Sequence, residues 1–285
     1  MRETDPLPAP PTPTKLESAP TMALARFADG RSEWLFTLDP RLFLRDPQAP
    51  SQLEQRIVLE EIYAAGPSAN CNHGLDAAER AAISQSEHGG SEAHVYGDSD
   101  CDLLFPLFRA LRGGEAIDAD DVFVDLGSGN GRLCMQMLLV TRLQRSIGVE
   151  ISATRHAQAM AAHAEAGRSL LVDIADGRSL ELRRGNLLEQ DVSGATLVYC
   201  FNLCLDDDFL RRLALHLLEQ LPTGATVLVR GKALPVVVDD EDAMPAVRGR
   251  RRRRLALRLR LTMFYGYRVV EEEYDNASGG GMGGS

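Results

Sequence analysis

The stretch Asp121–Val140, DVFVDLGSGNGRLCMQMLLV, joins a short apolar run to a helical apolar pattern through three glycines in five positions. No other part of the chain constrains the fold as much. A short apolar run that ends in glycine reads as a buried strand, and the spacing after it reads as a helix packed back on that strand. The same alternation recurs on both sides of it. A helix candidate at 101–112 precedes the strand at 122–126. Helix 132–143, strand 145–150, helix 153–167, strands 180–185 and 195–201, helix 207–221 and strand 225–230 follow in order. Strands separated by helices build βαβ units and a mainly parallel sheet. The last part, LALRLRLTM and YGYRVVEEEY, alternates with period two and reads as an antiparallel hairpin. The expected fold is α/β, a Rossmann-like, mostly parallel sheet with a C-terminal antiparallel hairpin.

A glycine turn between strand and helix lets backbone amides approach a ligand and presents the positive end of the helix. The dinucleotide fingerprint needs a small residue at its third position, so that helix and strand pack closely. Counted from Gly127 and Gly129, that position is Arg132, which argues against NAD. The phosphate loop of ATPases is excluded as well, because no Gly-Lys-Ser/Thr follows. The remaining form, GxGxG with Asp125 two residues ahead of the first glycine, resembles the nucleotide turn of S-adenosylmethionine (SAM)-dependent methyltransferases. A carboxylate there suits an ammonium and a sulfonium, whereas it would repel a pyrophosphate.

Two further positions fit that resemblance. Glu150 closes the second strand, where an acid accepts hydrogen bonds from ribose hydroxyls. Asn186, just past the third strand, stands where such folds touch the adenine. An amide there can accept from an amino group and donate to a ring nitrogen, or it can simply cap the short helix that follows.

The order of VYGDSD (95–100), DVFVDLGSGNGRLCMQ, IGVEIS, LRRGNLLEQ and ATLVYCFNLCLDDDFLRRL looks like the catalytic core of the telomeric-silencing-disruptor (DOT-type) histone lysine methyltransferases. The likeness covers about residues 95–233. It implies a seven-stranded methyltransferase sheet, SAM as cofactor and a protein lysine as acceptor. Carried over residue by residue, Tyr96, Gly97 and Asp98 would fold over the methionyl end, with Ser99 in place of the usual Thr. Asp125, Gly127, Ser128, Gly129 and Gly131 would hold the carboxypropyl group and the amine. Glu150 would bind the ribose, Asn186 the adenine edge, and Asn202 would sit near the transferred methyl. Tyr96, Asp98 and Asn202 are thus the candidate catalytic residues. A turn at 96–99 that caps the next helix is the other reading of that segment. Three positions depart from the family. Asp98 replaces Glu, Asn186 replaces Asp, and Phe201-Asn202-Leu203 stands for an Asn-Asn-Phe element.

Methyl transfer from a sulfonium is an in-line displacement, so the enzyme mainly positions and desolvates the nucleophile. No Ser–His–Asp arrangement is needed, and none is evident. Five scattered cysteines form no CxxC pair, so no metal site is expected. Without a signal-peptide core or a long apolar run, the chain is expected to be cytoplasmic or nuclear, with no membrane contact. Residues 1–21 read as a disordered leader, 22–90 as a helical accessory region, 91–275 as the catalytic domain and 276–285 as a flexible glycine-rich tail.

The net charge of −10 argues against a passive nucleic-acid binder, yet eight arginines crowd Arg248–Arg260. Their first half reads as a loop, and Arg258 and Arg260 should share one strand face. They either pair with the acidic Asp239–Asp242 or contact nucleic acid or another acidic surface. The expected activity is SAM-dependent methylation of a protein lysine, of histone type. The alternatives are a small-metabolite methyltransferase and a silent SAM-fold binding module.

Overall fold

The computed structural model describes residues 23–26, 32–35, 63, 75–95, 99, 101–168, 178–235 and 251–273. The chain forms two compact units, residues 1–45 and 46–285. In the first, β1 (Ala23–Arg26) pairs antiparallel with β2 (Ser32–Leu35), from Ala23 opposite Leu35 to Arg26 opposite Ser32. These two short strands lie within 22–90, which the sequence reads as helical in pieces. The sequence holds Asp29-Gly30 between two short runs, a pairing that favours hairpin turns over helix. The helix expected at 51–65 lies outside the described residues except for Tyr63, as do the leader and the glycine-rich tail.

The second unit begins its described part with α1 (Ala77–Ile83) and continues with α2 (Cys101–Leu111), β3 (Val122–Leu126), α3 (Arg132–Val140), β4 (Arg145–Glu150) and α4 (Ala153–Arg168). β5 (Ser179–Arg184), β6 (Leu197–Phe201), α5 (Asp207–Gln220), β7 (Thr226–Arg230), β8 (Arg251–Arg260) and β9 (Phe264–Glu273) complete it. The seven strands of its sheet lie in the order β5-β4-β3-β6-β7-β9-β8. The first five are parallel; β9 and β8 run antiparallel. The chain enters at the centre on β3, steps outward to β5, then crosses to β6. That reversal opens a crevice beyond the carboxyl ends of β3 and β6, the place where ligands bind in open α/β sheets.

β3, β4, β6 and β7 are near-continuous apolar runs because helices cover both faces of the sheet. On one face, Phe108 of α2 meets Phe123 of β3 edge-on, with ring centroids 6.0 Å apart. On the other, α5 turns Phe209, Leu210, Leu213, Ala214, Leu217 and Leu218 toward Val124, Val198, Val227 and Val269. Asp206 caps this helix by accepting from the Phe209 amide at 2.7 Å. The cap is worth roughly 1 kcal/mol, whereas each buried leucine contributes roughly 1.5–3 kcal/mol. Burial therefore decides where α5 lies, and the cap sets where it starts.

The arginine run folds differently from its sequence reading. β8 already begins at Arg251, so residues 251–254 are strand, and Arg251, Arg252 and Arg253 stand opposite Glu273, Glu272 and Glu271. The acidic Asp239–Asp242 lie outside the described residues. Arg253 reaches the end of α5, donating to the carbonyl of Leu221 and to that of Glu219 at 3.3 Å. A bulge between Leu257 and Leu259 leaves Arg258 without a ladder partner, and Arg254, Arg258 and Arg260 are exposed on the sheet edge.

Candidate functional site

The crevice is built first by the turn after β3. Gly127, Gly129 and Gly131 all take positive φ, 91°, 56° and 76°, a region closed to most side chains. The turn folds back on β4: the amides of Gly127 and Ser128 both donate to the Val149 carbonyl at 2.9 Å, and Gly131 donates to Ser128 at 2.9 Å. No atom lies within 4 Å of where a Gly127 side chain would start, and Gly127 lines the crevice. Ser128 is buried. Asp125 sits beneath the turn at 4% exposure, where water screens its field poorly. Burial first, and this carboxylate second, push the thiols of Cys134 and Cys200 well up. Burial and Asp125 likewise raise the Tyr199 hydroxyl, against the Ser99 hydrogen bond and the Arg230 charge.

Glu150 ends β4 at 4% exposure. Its Oε2 accepts from the Gly129 amide and its Oε1 from the Ser152 amide, both at 2.8 Å. Burial raises its pKa above 4.5, while the Arg155 charge and these amide bonds pull it down. The carboxylate retains acceptor capacity for a further donor, such as a sugar hydroxyl. The glycine turn and Glu150 are therefore one construction, joined through Gly129.

Asn186 lines the same crevice, but its side chain already has structural partners. Oδ1 accepts from the Leu188 amide at 3.0 Å, capping the 3₁₀ turn Leu187–Glu189, and Nδ2 donates to the Glu87 carbonyl at 3.3 Å. The capping alternative is thus realised at a residue that also faces the site.

At the other end, Asn202 is fully buried and bonds reciprocally with the backbone of Lys232. Nδ2 donates to the Lys232 carbonyl and Oδ1 accepts from the Lys232 amide, both at 2.8 Å. This side chain fastens the loop after β6 to the loop after β7, and the crevice is lined by its neighbours Phe201, Leu203, Cys204 and Leu205. Tyr96, Gly97 and Asp98 lie outside the described residues. Their neighbour Ser99 is placed: its hydroxyl is 2.5 Å from that of Tyr199 and accepts from Arg230 at 3.3 Å. The Arg230 guanidinium also lies 4.8 Å over the Phe201 ring.

A strap formed by residues 76–95 crosses the carboxyl ends of the strands, where no residue of it is expected from sequence to line the site. Glu79 of α1 accepts from the Ser152 hydroxyl at 2.7 Å and from the amide and hydroxyl of Thr154 at 3.0 and 2.5 Å. Arg155, buried in the crevice, donates to the His94 carbonyl at 2.5 Å. Tyr63 donates to the Asn130 carbonyl at 3.2 Å. Only the capping pattern Asp76-Ala-Ala-Glu79 could have flagged the strap from sequence, and it speaks only to a helix start.

The crevice measures about 160 Å³ and runs from Glu150, Asn186 and Leu187 to Phe201, Leu203 and Val95. Glu150 as an acceptor for a diol and the apolar Leu126, Ile151, Leu187 and Phe201 line this crevice and suit the sugar and base of S-adenosylmethionine. Among the described residues no three His, Cys, Asp or Glu side chains group to hold a metal. No described helix is long and apolar enough to cross a membrane.

The family model described as histone methylation protein DOT1 matches residues 82–229. No curated protein matches the chain. Among solved structures, an RNA methyltransferase from Salinibacter ruber in complex with S-adenosyl-L-homocysteine is 25% identical, with a TM-score of 0.42 over 63% of this chain and 97% of that one. An S-adenosylmethionine-dependent methyltransferase from Clostridium acetobutylicum is 12% identical, with a TM-score of 0.37 over 63% of this chain and 77% of that one.

Proposed function

The chain belongs to the DOT1 family of histone-methylation proteins and is an S-adenosylmethionine-dependent methyltransferase, and we propose that its acceptor is the ε-amino group of a protein lysine, of histone type. One observation carries this reading: every residue that lines the crevice, from His88 to Phe209, lies inside the family match at 82–229. The bound cofactor supplies a methyl group on a positively charged sulfur that departs as a neutral thioether. In this reading Asp125 faces the methionyl ammonium, and Gly127, Ser128, Gly129 and Gly131 leave its carboxypropyl arm room. Glu150 takes the ribose hydroxyls, and Asn186 sits at the base. Tyr96 and Asp98 are assigned to the methionyl end by their resemblance to the family's loop. Asn202 acts as a positioning residue for Phe201 and Leu203.

A lysine must reach the methyl as a free amine, and low polarity favours that form by disfavouring the ammonium. Phe201, Leu203, Cys204 and Val95 give that end of the crevice an apolar wall. A nuclear location goes with a histone acceptor, and the exposed Arg254, Arg258 and Arg260 would touch nucleic acid or another acidic surface near the target.

Incubation with methyl-labelled cofactor and histones, nucleosomes or a small-molecule extract tests the acceptor. Label on histone lysine supports the proposal; label confined to small molecules replaces it with the metabolite reading. If S-adenosylhomocysteine leaves the unfolding midpoint unmoved, the chain is a silent member of its family.

A further inference from the structure

His88-Gly89-Gly90 is a feature of the strap that the activity does not yet use. The turn is pressed against the start of α5. A side chain at Gly89 would begin 2.5 Å from Leu205 Cδ2 and one at Gly90 2.6 Å from Asp206 Oδ2, and both residues take positive φ, 113° and 92°. The Asp206 amide donates to the Gly89 carbonyl at 2.8 Å. On the other side, Glu87 accepts from Asn186 through its carbonyl. His88 is thereby fixed between Asn186 and Leu205, and its side chain lines the crevice beside Asn186 and Leu187.

Of the two neutral tautomers of the ring, one fits its surroundings. Nδ1 is 3.1 Å from the Ala82 carbonyl, and a carbonyl only accepts, so Nδ1 carries the hydrogen. In the neutral ring Nε2 is then an acceptor. The Glu87 carboxylate lies 3.8 Å from Nε2, beyond hydrogen-bond range. Asn186, the sequence's candidate for reading the base, has one bond on each amide atom already.

We infer that His88 is a specificity-determining residue, its Nε2 accepting from the exocyclic amine of the cofactor's adenine. This rests on the crevice being the cofactor site. Adenine offers a donor at its sixth position, whereas hypoxanthine offers a carbonyl that faces the Nε2 lone pair unfavourably. His88→Asn keeps an amide N–H for the Ala82 carbonyl and removes the ring tip. His88→Gln puts back a tip that can rotate to accept or donate.

Calorimetric titration of the full chain with S-adenosylhomocysteine and with its 6-oxo analogue, S-inosylhomocysteine, tests the inference. The native protein prefers the amino form. His88→Asn cuts that preference by roughly 3- to 10-fold, the worth of one such bond, by weakening the amino ligand alone. His88→Gln cuts it by strengthening the 6-oxo ligand. If either variant keeps the native ratio of dissociation constants, or shifts both ligands equally, His88 is only structural and the inference is wrong. If the native protein binds neither ligand, the assignment of the crevice itself falls, and that result is distinct from the first. Unfolding midpoints of both variants within a few degrees of native confirm that any change arises in a folded protein.

Discussion

Replacing Glu150 with Gln changes one oxygen for an amino group at a buried point where two backbone amides converge. The carboxylate accepts from Gly129 and Ser152 at 2.8 Å each, and bonds to a charged acceptor are worth roughly 1.5–3 kcal/mol each. The amide of glutamine keeps one acceptor and turns its amino group on the other N–H, so one bond is lost and one donor is stranded. Relief from burying a charge offsets part of this loss, leaving a net destabilisation of roughly 2 kcal/mol. At about 2–4 °C per kcal/mol for a domain of this size, the unfolding midpoint falls by roughly 4–8 °C. Loss of the paired acceptor for the ribose lowers S-adenosylhomocysteine affinity by roughly 10- to 100-fold.

The same carboxyl gives a pH signature. Burial raises its folded pKa above 4.5, with the Arg155 charge opposing. The folded state therefore holds the proton more tightly than the unfolded chain. The group subtracts stability at neutral pH, that deficit shrinks as pH falls through the raised value, and it is gone below 4.5. Cofactor affinity moves the other way, weakening on acidification over the same window as the acceptor is protonated. Both trends should vanish in Glu150→Gln. Scanning fluorimetry and calorimetry from pH 7 downward read them together. Affinity within threefold of native would refute the ribose role, and an unchanged midpoint would refute the value placed on the two amide bonds.

Gly131→Ala places a methyl 3.1 Å from Leu182 Cδ2 and 3.2 Å from Ala159 Cβ at φ 76°; urea unfolding should show a loss of roughly 1–3 kcal/mol. Gly129→Arg should abolish S-adenosylhomocysteine binding by calorimetry while the far-ultraviolet circular dichroism stays native. Asn202→Ala removes both 2.8 Å bonds to Lys232, costing roughly 1–3 kcal/mol, and hydrogen exchange at the Lys232 amide should quicken. Arg253→Leu uncovers the carbonyls at the end of α5; thermal melts should report a loss of roughly 0.5–2 kcal/mol.

The sequence by itself determined the order of strands and helices from 101 onward, because apolar period and glycine turns are local properties of the chain. It determined the turn at Asp125–Gly131 and the acid at Glu150 for the same reason: backbone conformation and charge at those positions are written in the residues themselves. It did not reveal the pair β1–β2, where a short Asp-Gly signal was outweighed by neighbouring helical patterns, nor that the arginines of 251–254 continue a strand, since their extended form depends on the backbone ladder with β9. Asn186 and Asn202 show the limit most clearly. Each is an amide whose residue type suits a ligand, yet their partners are Glu87 and Lys232, 99 and 30 residues away. Only the return of the chain could bring those groups together. The strap of Glu79, His88 and His94 over the crevice is likewise a tertiary decision, made because the backbone and side-chain groups at the carboxyl ends of a parallel sheet need partners that no neighbour in sequence supplies.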